Sequence, residues 1–189
     1  MLKIFVILIS ESKIAGLDLN KLTHNLKAVF QAEVQIEVGL KLPEEGYHRS
    51  RDQWLAGRLI EALPDRDGLI LGITTKDIFA PNLNFLFGQA HPHTGKAIIS
   101  TFRLRPEFYG REKDDVLFNE RILKEAVHEL GHIFLLSHCP DKSCIMHFSN
   151  TIYDTDQKGP GFCERCLLYL EKSRDLWPEG KGRDRTEKK

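Results

Sequence analysis

The sequence predicts an α/β (α+β) fold: a mixed, twisted sheet with one antiparallel edge strand, a long helix packed on it, and a small cysteine-bearing C-terminal subdomain. Three observations predict it. Short apolar runs alternate with helix-period segments through the N-terminal half, which predicts mostly parallel first strands. Two later runs are joined by Pro92-His93-Thr94-Gly95, a connection short enough for a hairpin. All four cysteines fall between positions 139 and 166, leaving the rest of the chain without any.

Residues 2–10 read as a buried strand. Its run from Ile4 to Ile9 is far short of the ~20 apolar residues of a membrane span. Glu11 and Lys13 follow at once, with no small-residue cleavage site, so a buried strand is preferred to a signal peptide. Residues 18–30 place Leu19, Leu22, Leu26, Val29 and Phe30 at helix period. Residues 34–39 form a second strand. Ser50 and Gln53 resemble a capping box ahead of a helix with Leu55, Leu59, Ile60 and Leu63 on one face. Pro64 stops that helix, and Asp67-Gly68 turns into a strand over 69–73. Residues 82–91 and 96–101 are the hairpin strands. If the second pairs in parallel with the core, the first runs antiparallel, with 85–90 as the edge strand. A long helix is expected over about 115–134 and a last one near 163–176. Residues 178–189 are polar and charged and read as a disordered tail. The expected organisation is one domain over 1–177, with an N-terminal subdomain 1–138 and a C-terminal subdomain 139–177.

The chain has 189 residues, 41% of them hydrophobic, enough for one core but not for two independent domains. Lys and Arg number 27 against 27 Asp and Glu, so the formal net charge is zero. A general nucleic-acid binder needs a basic surplus, so no nucleic-acid partner is expected. No membrane partner is expected either. A cytoplasmic monomer is the resulting expectation.

Cys139 and Cys144 form C-x4-C, and Cys163 and Cys166 form C-x2-C. Two close pairs separated by a loop are the usual supply of four thiolates for tetrahedral zinc. A disulfide framework would be spread through a smaller secreted chain.

The long helix carries a core stripe at Asn119, Ile122, Leu123, Ala126, Val127, Leu130, Ile133 and Phe134. At about 100° per residue, Arg121, Glu125, His128 and His132 fall on the opposite side, facing solvent or a cleft. Two histidines four apart stack over one point and suit a metal. Glu129 between them can reach a water on that metal without ligating it, so H-E-x-x-H reads as two zinc ligands and a general base. On a continuing helix His138 would point about 240° away and ~9 Å along the axis. A sharp turn after Phe134 would swing it back as a third ligand, giving three imidazoles and an open fourth position, the pattern of catalytic zinc. Glu129 would then take a proton as the water attacks a peptide carbonyl and deliver it to the leaving amine.

His128-Glu129-Leu130-Gly131-His132, then His138, Cys139, Cys144, Met146, Cys163 and Cys166, resembles the archaemetzincins, zinc metallopeptidases of the metzincin clan. The resemblance covers residues 127–166 and implies a metzincin-like zincin domain. It implies catalytic zinc on His128, His132 and His138, Glu129 as base, and a second, structural zinc on the four cysteines. It also implies that Met146 is the methionine of the Met-turn, a floor beneath the histidines. One position departs. The family pattern has glycine at 135, where the helix breaks, and this chain has Leu135. Glycine is free of Cβ strain in a left-handed turn, whereas leucine there costs roughly 1–2 kcal/mol. Either Leu135 is strained or the turn has another shape, still delivering His138.

A peptide substrate can add itself as a strand to an open sheet edge. In the metzincin clan an antiparallel edge strand lies along the cleft, and the matching residues are Phe87, Gly88, Gln89 and Ala90. Gly88 would admit a close backbone approach or mark a bend. His91 and His93 read as solvated turn residues. Arg121 and Glu125 could orient ligands or form a surface i,i+4 pair. The resulting function is zinc-dependent hydrolysis of peptide bonds. Two alternatives stand. One is a non-proteolytic zinc hydrolase, of which the RNA-processing kind lacks a glutamate after the first histidine. The other is a silent zinc module, favoured by Leu135 alone.

Overall fold

A computed structural model describes residues 1–9 and 13–175. The expected tail over 178–189, and the ends of the first strand and last helix at 10 and 176, lie outside the described residues. Strand β1 (Lys3–Ile9) sits inside a five-stranded sheet. It pairs in parallel with β2 (Glu33–Leu40) and β5 (Leu69–Thr74). Strand β5 pairs in parallel with β8 (Lys96–Ser100), and β8 pairs antiparallel with β7 (Gly88–His91) at the edge. The strand order is β2-β1-β5-β8-β7, a mixed sheet with parallel first strands and an antiparallel edge, as alternation and the hairpin predict.

Both faces of the sheet are covered at its centre, so β1, β5 and β8 are buried at every position but Lys3 and are mostly apolar. Ile4, Val6 and Leu8 point to one face, where α1 (Leu19–Phe30) and α3 (Asp115–Ile133) pack. Phe5, Ile7 and Ile9 point to the other, against α2 (Ala56–Ala62). Asp18 caps α1, its carboxylate accepting from the Lys21 N–H at 2.9 Å.

Two expectations are corrected. Residues 53–55 are not the first turn of a helix. Gln53–Leu55 forms strand β4 in a small second sheet with β3 (Tyr47–His48) and β6 (Ile78–Phe79). Ser50 contacts the His48 ring, and α2 begins without a side-chain cap. The Gln53 side chain is buried and donates to Asp77 at 2.8 Å, a tertiary bond that outweighs a local cap. The edge strand is also shorter than residues 85–90. It starts at Gly88, because Leu86 donates its N–H outward to the Ile78 carbonyl at 2.9 Å in an isolated antiparallel bridge.

Beyond α3 the chain makes an irregular loop, then α4 (Ile152–Gln157) and α5 (Glu164–Asp175). Helix α4 was not expected. Its capping box, Thr151 with Asp154, was present in the sequence but lay in a stretch dominated by cysteine spacing.

Candidate metal centre

Helix α3 ends in a Schellman turn. The Leu135 N–H donates to the His132 carbonyl at 2.9 Å and the Leu136 N–H to the Gly131 carbonyl at 3.2 Å. Leu135 takes the left-handed position with φ 66°, and the residue is 73% exposed. The strained alternative is therefore the one realised. The turn reverses the chain, and His138 returns to the helix it left.

The three histidines converge. His132 Nε2 lies 3.1 Å from His128 Nε2 and 3.2 Å from His138 Nε2. His128 Nδ1–H donates to the Ile145 carbonyl at 2.9 Å, and His132 Nδ1–H to the Leu136 carbonyl at 2.7 Å. With their protons on Nδ1, both rings present only lone pairs at Nε2. Lone pairs this close repel unless a cation sits between them. Zinc at 2.0–2.1 Å from each nitrogen in tetrahedral geometry sets nitrogens about 3.3 Å apart, so the set fits zinc. Burial, above all, holds His128 and His132 below the usual imidazole range, and so keeps them in the neutral, ligating form.

The cysteines converge as well. Cys139 and Cys163 sulfurs stand 3.8 Å apart, far from the 2.05 Å of a disulfide and close to the ~3.8 Å edge of a zinc tetrathiolate. Donors are already aimed at the sulfurs: Arg165 Nη2 at Cys139 Sγ and the Cys163 N–H at Cys144 Sγ, each at 3.3 Å. The Cys166 backbone N–H leads in lowering the Cys163 thiol to about 7. Burial pushes Cys144 and Cys166 up, a cost that a bound cation offsets. Among the described residues these are the two His/Cys/carboxylate clusters built to hold an ion; His91 and His93 belong to neither.

A cleft of about 430 Å³ opens over the histidines, walled by segment 83–90 on one side and by Phe148, Ser149 and Asn150 on the other. Glu129 lies in it. A Cβ built on Gly88 would come 2.6 Å from Glu129 Cγ and 2.7 Å from its Oε1, so only glycine admits this approach. Burial raises the Glu129 carboxyl well above the usual range; Glu125 adds to the rise, and Lys158 opposes it. Phe87 is buried against Phe85, and its carbonyl accepts from the Ser100 N–H inside the sheet at 2.8 Å. Met146 is fully buried under Gly131, where an added Cβ would meet Sδ at 2.6 Å.

Arg121 and Glu125 face neither solvent nor each other, which corrects the surface-pair reading of them. Arg121 grips Asp156 with two bonds of 2.7 Å and donates to the Leu104 carbonyl at 3.0 Å. Glu125 accepts from Lys158 Nζ at 2.9 Å and Thr155 Oγ1 at 3.1 Å. The polar stripe of α3 is covered by α4 and the residues after it. A helical wheel identifies a non-core stripe but cannot tell water from a later segment of the chain that packs on it. Gly131 carried a detectable signal, a glycine inside a strong helix. Lys158 and the Ile145 and Leu136 carbonyls carried none, because their roles depend on where a loop folds back.

Comparison with known proteins agrees with this geometry. The model for peptidase family M54 matches residues 63–172. An archaemetzincin of Pyrococcus horikoshii is 46% identical over 153 residues, spanning 77% of this chain and 81% of that protein. The crystal structure of archaemetzincin from Methanopyrus kandleri superposes with a TM-score of 0.79 at 34% identity, covering 92% of this chain and 96% of that one. A zinc-dependent peptidase from Methanocorpusculum labreanum superposes with a TM-score of 0.79 at 30% identity, covering 88% and 99%. A convergent histidine triad, a cleft between it and a sheet edge, and a four-cysteine cluster thus accompany extensive sequence identity, and the chain belongs to peptidase family M54, the archaemetzincins.

Proposed function

We propose that this zinc metallopeptidase hydrolyses peptide bonds with Glu129 as general base, over a metal held by His128, His132 and His138. The observation that carries the reading is the Glu129 carboxylate, set in the cleft beside three converging Nε2 atoms. Zinc at that site supplies Lewis acidity toward the scissile carbonyl and a more acidic water. The remaining steps belong to the chain. Glu129 accepts a proton from the attacking water and returns it to the leaving amine. Gly88 and Ala90 orient the substrate backbone as an added strand. The Ile145 and Leu136 carbonyls hold the His128 and His132 rings in the ligating tautomer.

A second, structural zinc on Cys139, Cys144, Cys163 and Cys166 is part of the same proposal, so two ions per chain. So is a single domain over 1–177, divided near 138, with Met146 as the floor of the site. Both ligand sets come from one chain, which supports a monomer as the working unit. Four free thiols built for zinc support a reducing compartment, the cytoplasm. No described helix is long and apolar enough to cross a membrane. The silent-module alternative rested on Leu135, and that residue still brings His138 to the cluster.

The test is mass-spectrometric mapping of cuts in a mixture of unfolded peptides. Zinc-loaded wild type, Glu129→Gln and chelator-treated protein are compared. Glu129→Gln is expected to keep its zinc and to lose roughly 10²–10⁴ in rate. Equal cutting by the variant would remove Glu129 from the mechanism.

A further inference from the structure

The edge that a substrate strand would use is short, and it is stopped at one end. In the antiparallel pair of β7 and β8, successive residues of β7 turn their backbone groups alternately inward and outward. Phe87 faces inward, its carbonyl bonded to the Ser100 N–H. Register then turns Gln89 and His91 inward and leaves Gly88 and Ala90 facing outward. Leu86 faces outward too, but its N–H is taken by the Ile78 carbonyl. Strand β6 begins at Ile78 and therefore lies in the very lane a substrate would extend along. It is fixed there. It pairs with β4, and the Trp54 N–H donates to the Asp77 carbonyl at 2.9 Å. Arg103 holds the Asp77 carboxylate with bonds of 2.8 and 2.7 Å. Farther along, the Leu83 and Asn84 carbonyls accept from Arg51, and Asn84 also from Gln53.

We infer that substrate strand addition is confined to Gly88 and Ala90 and that β6 closes the lane on the C-terminal side of the scissile bond. The preferred substrate is a peptide whose chain ends, or turns out of the sheet plane, soon after the bond that is cut. The inference rests on the peptidase reading. Glu129 sits against Gly88, which places the scissile bond at that level. A substrate antiparallel to β7, the better-paired orientation, runs from Ala90 toward Gly88 and on toward Ile78. Two residues at about 3.4 Å each separate the position opposite Gly88 from the one Ile78 fills. Toward His91 nothing of β6 intervenes, so the substrate's N-terminal side is free to continue.

The experiment uses zinc-loaded wild type and peptides sharing one cleaved bond, lengthened residue by residue on either side. Lengthening on the N-terminal side is expected to raise kcat/KM until the partner of Ala90 is present. Lengthening on the C-terminal side beyond about two residues is expected to lower it several-fold. In Ala90→Pro, which removes an outward N–H at an edge position that tolerates proline, the gain from N-terminal lengthening should fall about five-fold. A second series carries backbone N-methyl groups. Only those opposite Gly88 and Ala90 should slow cleavage. Equal gains from lengthening on both sides, or N-methyl sensitivity on the far side of Leu86, would overturn the inference while leaving a peptidase. No zinc-dependent cleavage of any peptide would overturn the peptidase reading, and this inference with it.

Discussion

Leu135 carries a cost that its neighbours make necessary. Its φ of 66° puts a branched side chain where glycine is normally used, and the residue is 73% exposed, so it gains little burial in return. The turn it occupies is still required, because Leu136 must place its carbonyl on His132 Nδ1 and His138 must return to the helix. Leu135→Gly is therefore expected to stabilise the fold by roughly 1 kcal/mol, after the greater freedom glycine gives the unfolded chain is subtracted from the strain it relieves. Urea unfolding of both proteins would read this as a higher midpoint at unchanged slope. A lower midpoint would mean that the leucine side chain makes contacts worth more than the strain.

At the level of elements, α3 and the loop after it work as one unit. Helix α3 supplies His128, Glu129 and His132. The loop supplies His138, the Ile145 carbonyl on His128, and Met146 beneath Gly131. That loop is tied to itself by the Cys139 N–H on the Met146 carbonyl at 2.8 Å and to the segment before α5 by the Ile145 N–H on the Gly161 carbonyl at 2.9 Å. Adjacent residues His138 and Cys139 thus serve different clusters. Cys163→Ser is expected to weaken zinc at the histidines about 10–100-fold, although serine touches none of them. Equilibrium dialysis against buffered zinc would test this, and unchanged affinity would mean that the loop holds its shape without the cysteines. The start of α4 has its own pH dependence. Bonds from the Thr151 hydroxyl, first, and from the Thr151 and Asn150 N–H groups hold the Asp154 carboxyl below its ordinary range. A lowered folded-state pKa means stability that is fully present above the unfolded value near 3.9 and is lost as pH falls through the folded one. Asp154→Asn should flatten that part of the acid-stability profile, as thermal unfolding between neutral pH and pH ~3 would show.

Across the whole molecule, the C-terminal part is held on α3 by two ion pairs, Arg121 with Asp156 and Lys158 with Glu125, of which the second is sealed from water. The Lys158 side chain is 0% exposed and that of Glu125 3%. Breaking such a pair from one side strands the other charge, at a cost of about 3–5 kcal/mol. Lys158→Met is expected to lose stability in that range. Lys158→Met with Glu125→Leu should recover most of it, because an apolar pair of similar volume leaves no charge unpaired. A double-mutant cycle by denaturant unfolding checks the recovery, and additive losses would mean that the pair contributes no coupling. Glu125 also lines the cleft, so the same pair joins the packing of the C-terminal segment on α3 to the shape of the site.

Local pattern was enough for much of this protein. The apolar and helix-period runs located β1, α1, β2, β5, β8 and α3 to within one or two residues, because all of them but β2 bury an apolar face that their own sequence must supply. The grouping of His128, His132 and His138 and of the four cysteines was equally legible, since a candidate metal site needs donors of fixed type at short separations. Tertiary structure alone decided the rest. Gln53 abandons a helix cap for Asp77, the Leu86 N–H is taken by Ile78, and the charged stripe of α3 is buried under Lys158 and Asp156. In each case the deciding partner lies far away in sequence, and a backbone or charged group goes to whichever partner the packed chain brings within reach once water is excluded.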